Sequence, residues 1–150
     1  MNNYVIYEPI GKGAFTEVQK GRKKRSVEFV ILKSFAKSQK DAIFNEVKIL
    51  SVLRHEHVIA FNYWYETRNH YWAIYEYIGG CNLRSVVDRA SGVSEDFLKP
   101  IATQLVDGLT YLHSQRVVFC DLKPSNVLFN EFAVLKFADF SAARFESDLA

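Results

Sequence analysis

A polar segment in the last third of the chain reads Asp121-Leu122-Lys123-Pro124-Ser125-Asn126. It interrupts short runs of β-branched and aromatic residues between Val117 and Phe140. The pair Asp139-Phe140 follows, 13 residues after Asn126. Two carboxylates and one side-chain amide supply hard oxygen atoms, which are the ligands that Mg²⁺ prefers. The segment therefore predicts a polar loop, between short strands, that carries chemistry.

A lysine and a glutamate stand upstream of this loop. Lys33 ends the near-continuous apolar run Val27–Leu32, which predicts a buried third strand. Glu46 lies within Asp41–Leu53, where apolar residues recur at helical spacing. Either residue alone is typical of a surface charge. A strand ammonium fixed by a helix carboxylate is nevertheless what phosphoryl transfer requires, because the protein mainly positions phosphates and neutralises charge.

Glycines at the start of the chain separate two predicted strands. Gly11-Lys12-Gly13 lies between Tyr4–Ile10 and Phe15–Lys20, so a dinucleotide fingerprint, which needs a strand followed by a helix, is disfavoured. Glycines let a backbone approach phosphate oxygens, but a plain tight turn uses the same residues, and both alternatives stay open for this motif alone. Gly21 and the basic run Arg22–Arg25 predict that the second strand ends in a solvated turn.

The remaining pattern places strands before helices. Val58–Tyr65 and Tyr71–Ile78 predict an aromatic-rich hairpin that ends at Gly79-Gly80. Leu83–Arg89 predicts a short helix, and Ser94 with the acidic residues after it predicts the start of a longer one. The apolar face of the longer helix comprises Ile101, Leu105, Leu109 and Leu112.

Composition sets broad limits on the class of protein. The 150 residues are 49% hydrophobic, which is ample for a core, and the net charge of only +2 gives no reason to expect nucleic acid as a partner. Cys81 and Cys120 form no disulfide framework, which favours a reducing, cytoplasmic compartment. No run of about 18 apolar residues occurs, so we expect no membrane insertion.

In their order along the chain, these motifs resemble those of eukaryotic serine/threonine protein kinases, over about the first half of the kinase domain. The resemblance implies an α+β, protein-kinase-like fold with a five-stranded antiparallel sheet and one helix in the N-lobe, residues 1–78. Residues 79–150 would be the hinge and the first part of a helical C-lobe. The resemblance also implies ATP and Mg²⁺ as cofactors and a protein as the substrate.

The resemblance assigns roles to individual residues. Asp121 would accept the proton of the substrate hydroxyl, and Lys123 would steady the transferred phosphoryl group. Lys33, held by Glu46, would contact the α- and β-phosphates. Tyr75 would guard the inner end of the adenine pocket. The expected metal ligands are Asn126 and Asp139, and the expected nucleotide contacts are Ile10, Gly11, Lys12, Gly13, Val18, Lys33, Glu76, Ile78 and Leu128.

Two segments point to a narrower group within the family. Residues Trp64–Trp72 and Val118–Asp121 resemble the autophagy-initiating and Fused-like kinases, and among them the microtubule-associated, RUNKEL-like branch. That resemblance implies a cytoskeletal or microtubule-associated partner, and a location in the cytoplasm, on the cytoskeleton or at a cilium.

Several motif positions depart from the family pattern. Thr16 replaces the third glycine, Ile31 replaces an alanine, Phe119-Cys120 replace histidine and arginine, and Ser141 replaces a glycine. We expect Ile31 to crowd the adenine pocket. The loss of arginine at Cys120 predicts that control through a phosphorylated activation loop is absent, because that cation normally binds the phosphate. Phe119 is expected to stack with Leu50 and Phe140.

These departures leave two functions open. The first is an enzyme that transfers the ATP γ-phosphoryl group to serine or threonine, since no expected base or metal ligand is missing. The second is a nucleotide-binding pseudokinase that scaffolds partners without phosphoryl transfer. A nucleic-acid-binding module rests only on the basic run Arg22–Arg25 and is disfavoured.

Overall fold

The first half of the chain forms an antiparallel sheet, as a computed structural model of residues 3–13, 15–90 and 94–149 shows. The strands are β1 Tyr4–Lys12, β2 Thr16–Lys23, β3 Phe29–Ala36, β4 Phe61–Glu66 and β5 His70–Glu76. They lie in the order β1-β2-β3-β5-β4, and every neighbouring pair is antiparallel. The predicted α+β, protein-kinase-like fold with a five-stranded sheet and a helix is thus confirmed.

The predicted end of the second strand is wrong. Gly21 does not start a turn but lies inside β2, and the ladder with β1 continues to the pair Tyr4 and Lys23. A Cβ atom on Gly21 would lie 2.2 Å from Leu32 Cδ1, so this position needs a glycine for close packing between strands. A glycine that permits close packing of strands cannot be distinguished in a sequence from a glycine that begins a turn.

The third strand is also shifted from its predicted bounds. Val27 is 89% exposed and lies before the strand, while β3 continues past Lys33 to Ala36. Lys33 therefore stands in the interior of a strand rather than at its end. Its position is fixed on both sides, because it pairs with Val18 on β2 and with Ala73 on β5.

One helix, α1 Lys40–Val52, packs against one face of the sheet. Its buried residues Ile43, Ile49 and Leu50 join the main core, which also takes in Phe35 and Tyr75 from the sheet. The opposite face of the sheet has a smaller core of its own, formed by Tyr4, Val30, Leu32, Trp72 and Ile74. The sheet therefore keeps one face for α1 and the site described below.

Helices and short hairpins make up the second half. Ser94 caps the long helix α3, Glu95–Ser114, because its Oγ accepts a hydrogen bond from the backbone N of Phe97, as the sequence predicted. On α3, Ile101 and Leu112 are buried in the main core. Among the described residues, none of the helices combines the length and the apolar composition that spanning a bilayer requires. The elements are α2 Leu83–Arg89, α3 Glu95–Ser114, β6 Val117–Val118, β7 Val127–Phe129, β8 Leu135–Phe137 and β9 Arg144–Phe145.

The segment before β4 joins the two halves. Residues Val58–Tyr65 were predicted as one strand, but β4 begins only at Phe61. Val58 forms an isolated parallel bridge with Phe137, and the backbone N of Ile59 donates to the Phe137 carbonyl at 3.0 Å. Val58 and Ile59 therefore pair with β8 and do not belong to the five-stranded sheet.

Three apolar side chains that the sequence placed in one stack are buried together. Phe119 and Phe140 contact each other edge to face, with ring centroids 4.9 Å apart, and both share the main core with Leu50 of α1. Since Phe119 and Phe140 come from the second half of the chain, this cluster holds α1 against it.

Candidate active site

Lys33 is the centre of the site. Its Nζ donates to Glu46 Oε2 at 2.9 Å, to Glu46 Oε1 at 3.3 Å and to Asp139 Oδ1 at 2.8 Å. Glu46 lies on the buried side of α1, so the strand, the helix and the segment after β8 each supply one charge. The structure thus brings together three of the residues that the sequence singled out, from positions up to 106 residues apart.

The charges in this cluster shift each other's pKa. Burial works to lower the pKa of Lys33, but the carboxylates of Glu46 and Asp139 outweigh it and raise that pKa above its ordinary value. Burial works to raise the pKa of Asp139, but the Lys33 ammonium and the hydrogen bonds from Ser141 lower it overall. Both groups are therefore charged at neutral pH, as an arrangement for binding phosphate and metal requires.

Asp139 is held in an uncommon backbone conformation. Its φ of 62° and ψ of 75° place it in the left-handed region, which costs a residue with a side chain about 1–2 kcal/mol. Ser141 Oγ donates to Asp139 Oδ1 at 2.8 Å, and Asn45 Nδ2 on α1 donates to the Ala143 carbonyl at 2.8 Å. These bonds fix the segment after Asp139 to itself and to α1. No sequence pattern predicts the contact of Asn45 with Ala143.

The loop quoted first forms a hydrogen-bonded cluster around Asp121. Lys123 Nζ donates to Asp121 Oδ2 at 2.7 Å, and Asn126 Nδ2 donates to the same oxygen at 2.8 Å. Asn126 is buried, whereas Lys123 is exposed. The hydrogen bond with Asp121 raises the pKa of Lys123, which keeps its ammonium charged. The loop therefore presents a carboxylate and a cation together at the protein surface.

The chemistry of the donors fits a hard cation between Asn126 and Asp139. The antiparallel pair β7 and β8 brings the two residues to the same end of a hairpin, where the Ala138 N donates to the Asn126 carbonyl at 2.9 Å. Because Asn126 Nδ2 faces Asp121, the side-chain oxygen of Asn126 is the atom left to bind a cation. One amide oxygen and one carboxylate suit Mg²⁺, which takes few protein ligands when it also binds phosphate.

The expected nucleotide contacts on the first two strands lie around Lys33. Val18 is the direct partner of Lys33 across the strands, and Gly11 is the partner of Val18, so the three lie in one row. Ile10 and Lys12 are exposed on β1. The Gly13 N donates to the Thr16 carbonyl at 2.8 Å, which closes the turn. Ala14, also part of the predicted glycine loop, lies outside the described residues.

The other expected nucleotide contacts lie at the far end of β5 and on β7. Ile78 is buried, and Leu128 packs against the same main core. Leu128 lies beside the chain that follows β5, because it forms a bridge with Asn82 and the Phe129 N donates to the Cys81 carbonyl at 2.8 Å. Ile31, expected to crowd the adenine pocket, pairs with Tyr75 and lies two residues before Lys33 on β3, so the two side chains share a face of the sheet.

The side chain of Glu76 has a contact that the sequence did not predict. Its Oε1 accepts a hydrogen bond from the Ala60 N at 2.7 Å and an ion pair from Lys136 Nζ at 2.9 Å. Ala60 precedes β4 and Lys136 lies on β8, so one carboxylate ties the end of β5 to both halves of the chain. Lys136 lies 60 residues after Glu76 in the chain, and no local sequence pattern predicts their contact.

Comparison with known proteins now identifies the family. A family model described as protein kinase domain matches residues 4–148. The chain belongs to the protein kinase domain family. This kinase chain is 42% identical over 150 residues to serine/threonine-protein kinase RUNKEL of Arabidopsis thaliana, and it spans 11% of that relative's length. The predicted resemblance to serine/threonine kinases of a RUNKEL-like branch is therefore confirmed.

Two further relatives of the kinase chain carry similar names. Serine/threonine-protein kinase ULK4 of Mus musculus is 36% identical over 144 residues, which are 96% of this chain and 11% of that relative. Serine/threonine-protein kinase 36 of Pongo abelii is 35% identical over 149 residues, with 96% of this chain and 11% of the relative covered. The kinase chain thus spans only a small part of these relatives.

Proposed function

We propose that this chain binds ATP with Mg²⁺ and belongs to a domain that transfers the γ-phosphoryl group to a serine or threonine hydroxyl of a protein. The observation that carries the proposal is the double ion pair of Lys33, at 2.9 Å to Glu46 and 2.8 Å to Asp139. A kinase needs this lysine, the helix glutamate and the metal-binding aspartate in place at the same time. The ion pairs that join Lys33 to Glu46 and Asp139 support this arrangement.

Each charged residue of the site has a role in this proposal. Lys33 binds the α- and β-phosphates while Glu46 holds it, and Lys123 neutralises charge on the transferred group. Asp121 accepts the proton of the substrate hydroxyl, and Asn126 Nδ2 orients that carboxylate through its bond to Oδ2. Bound between Asn126 and Asp139, Mg²⁺ would supply positive charge to the phosphate oxygens.

The lobes of the proposed kinase meet where β5 ends. Residues 1–78 form the N-lobe and residues 79–150 the hinge and first part of the C-lobe in this proposal. Support comes from Gly80, where a Cβ atom would lie 1.9 Å from the Phe129 carbonyl oxygen, so the chain after β5 runs directly against β7. Val18 from above and Leu128 from below would then contact the adenine, with Ile78 at its edge.

Nucleotide binding and phosphoryl transfer test the proposal directly. ATP affinity is measured with and without Mg²⁺ in the longest natural form of the chain, followed by γ-phosphoryl transfer to a generic protein acceptor. Asp121→Asn keeps the size of the side chain and removes the base, while Asp107→Asn on the exposed surface of α3 is the matched control. Mg²⁺-dependent binding, with transfer lost in Asp121→Asn alone, would support a kinase.

A nucleotide-binding scaffold is the second candidate, and one contact favours it. Asp139 Oδ1 accepts hydrogen bonds from both Lys33 Nζ and Ser141 Oγ, and both donors compete with a metal for that oxygen. Binding of ATP without transfer, or binding that Mg²⁺ does not strengthen, would favour this function. A cytoskeletal partner rests on the likeness to the RUNKEL-like branch, and co-sedimentation with microtubules tests it.

A further inference from the structure

The hydroxyl of Tyr75 contacts the charged cluster from behind. Tyr75 Oη donates to Glu46 Oε1 at 2.8 Å, and the two side chains belong to residues that are only 3% and 1% exposed. The resemblance to kinases implies that the side chain at this position lines the inner end of the adenine pocket. The structure adds a specific polar contact, because the hydroxyl reaches the same carboxylate that holds Lys33.

The position of the Tyr75 ring follows from the strand register. Tyr75 pairs with Ile31 on β3 and with Phe61 on β4, and Ile31 lies two residues before Lys33 on β3. Side chains two residues apart on a strand share a face, so Tyr75 and Lys33 both point toward α1. The Phe61 ring packs edge to face on Tyr75, with centroids 6.0 Å apart, and limits its movement.

The Tyr75 hydroxyl keeps its proton and remains a hydrogen-bond donor. Burial raises the pKa of Tyr75 well above its ordinary value, and the charge of Glu46 raises it further. The phenol therefore stays protonated and can only donate toward the carboxylate, whatever the pH at which the protein works.

The bonds around Glu46 divide into two kinds. Lys33 supplies one partner, but in the proposed reaction its ammonium also has to bind phosphate oxygens. Tyr75 supplies the other partner and has no second task, since its Oη is enclosed between the sheet and α1. A buried carboxylate that loses a partner carries a large desolvation cost, so the carboxylate needs a donor that remains.

We propose that Tyr75 is a positioning residue that holds Glu46, and through it α1, against the sheet when Lys33 turns toward the phosphates. This inference rests on the proposed kinase function for its catalytic consequence. The contact itself acts in the protein without nucleotide, and this difference lets the two be tested separately.

The variant Tyr75→Phe removes the hydroxyl and keeps the ring. Tyr65→Phe is the matched control, since Tyr65 is a partly buried strand tyrosine whose hydroxyl has no hydrogen-bond partner among the described residues. Amide hydrogen exchange is measured without nucleotide in the longest natural form of the chain. We expect exchange in α1 to be about tenfold faster in Tyr75→Phe, as loss of a bond to a charged group predicts, with exchange in α3 and all exchange in Tyr65→Phe unchanged.

The catalytic consequence is measured by steady-state kinetics on the same proteins. In Tyr75→Phe we expect kcat to fall about tenfold while KM for ATP changes little, because the hydroxyl positions Glu46 and does not contact the adenine. Unchanged exchange in α1, or equal acceleration in α1 and α3, would overturn the positioning role, and so would altered exchange with unchanged kcat. If the unmodified protein binds no ATP, the proposed function fails, while the exchange result still decides the contact between Tyr75 and Glu46.

Discussion

Lys33 and Asp139, 106 residues apart in the chain, are joined by an ion pair of 2.8 Å. One partner lies in the interior of a central strand and the other begins the turn after β8. The contact can form only when both halves of the chain are folded and packed together, while Glu46 of α1 binds the same ammonium. It therefore reports on the state of the whole site rather than on one element.

Replacing the lysine tests the centre of this network. In Lys33→Met the buried carboxylate of Glu46 loses its cation, so we expect the free energy of unfolding to fall by about 3 kcal/mol. Phosphoryl transfer should fall at least about 100-fold, because an electrostatic contact to the phosphates is removed. Urea unfolding and a transfer assay measure the two effects.

A second substitution separates stability from catalysis. In the double variant Lys33→Met, Glu46→Gln the buried charge is gone, and we expect much of the stability to return while transfer stays lost. Lys99→Met, at an exposed position on α3, is the control for removing a lysine. A single variant as stable and as active as the unmodified protein would refute the central role of Lys33.

The pKa of Asp139 predicts how stability changes in acid. The folded-state pKa of Asp139 lies below its ordinary value of 3.8, so the stabilisation is complete above about pH 4 and is lost as the pH falls through the folded-state pKa. Asp139→Asn should therefore lose less stability than the unmodified protein below about pH 4. Urea midpoints across this range measure the difference, with Asp88→Asn at an exposed ion pair as the control. Equal acid slopes in all three proteins would contradict the prediction.

Periodicity predicted the elements because it depends on local geometry. Alternating side chains marked the strands, the spacing of Ile43 and Leu50 marked α1, and Ser94 marked the start of α3. The loop around Asp121 was found from residue types at short spacing. These features are all determined within a few residues of chain.

The errors and omissions involve neighbours that are distant in sequence. Gly21 was assigned to a turn, since its need for close packing becomes visible only when Leu32 lies opposite it. Glu46 contacts Tyr75, which lies 29 positions away in the chain, and Glu76 contacts Lys136, which lies 60 positions away. A single sequence carries no record of such pairs, so the residues that meet at Lys33 could be predicted from the sequence and their supporting contacts could not.

The residue before Asp121 predicts how the protein responds to dephosphorylation. Cys120 stands where the kinase pattern has an arginine that would bind a phosphorylated activation loop. Its side chain is exposed, but a thiol cannot supply the positive charge of that arginine. We therefore expect kinase activity to be unchanged after phosphatase treatment. A large loss of activity, measured with the same acceptor protein, would show that another cation takes over the role.

The ion pair of Glu76 and Lys136 predicts a contribution to stability. Both side chains are partly buried, and Glu76 Oε1 also accepts a hydrogen bond from the Ala60 N. In Lys136→Met we expect a loss of about 1–3 kcal/mol, since a partly buried charge is left with one neutral partner. Arg84→Met breaks an exposed pair with Asp88 and should cost less than about 1 kcal/mol. Equal unfolding midpoints for the two variants in urea would contradict the difference.

Two adjacent glycines after β5 should respond differently to the same change. A Cβ on Gly80 would lie 1.9 Å from the Phe129 carbonyl oxygen, a backbone atom that cannot move without disturbing β7. A Cβ on Gly79 would make its nearest contact at 3.5 Å, which is ordinary van der Waals distance. We therefore expect Gly80→Ala to lower the free energy of unfolding by about 1–3 kcal/mol, and Gly79→Ala to leave it nearly unchanged.

Nucleotide affinity gives this pair of variants a second measurement. In the proposed kinase the chain after β5 lies along the adenine, so the shift forced by Gly80→Ala should also weaken ATP binding, whereas Gly79→Ala should bind as the unmodified protein does. Titration of each variant with ATP and Mg²⁺, below its unfolding temperature, separates this effect from stability. If Gly80→Ala is destabilised but binds ATP with unchanged affinity, the close approach of Gly80 to β7 supports the fold without shaping the nucleotide site.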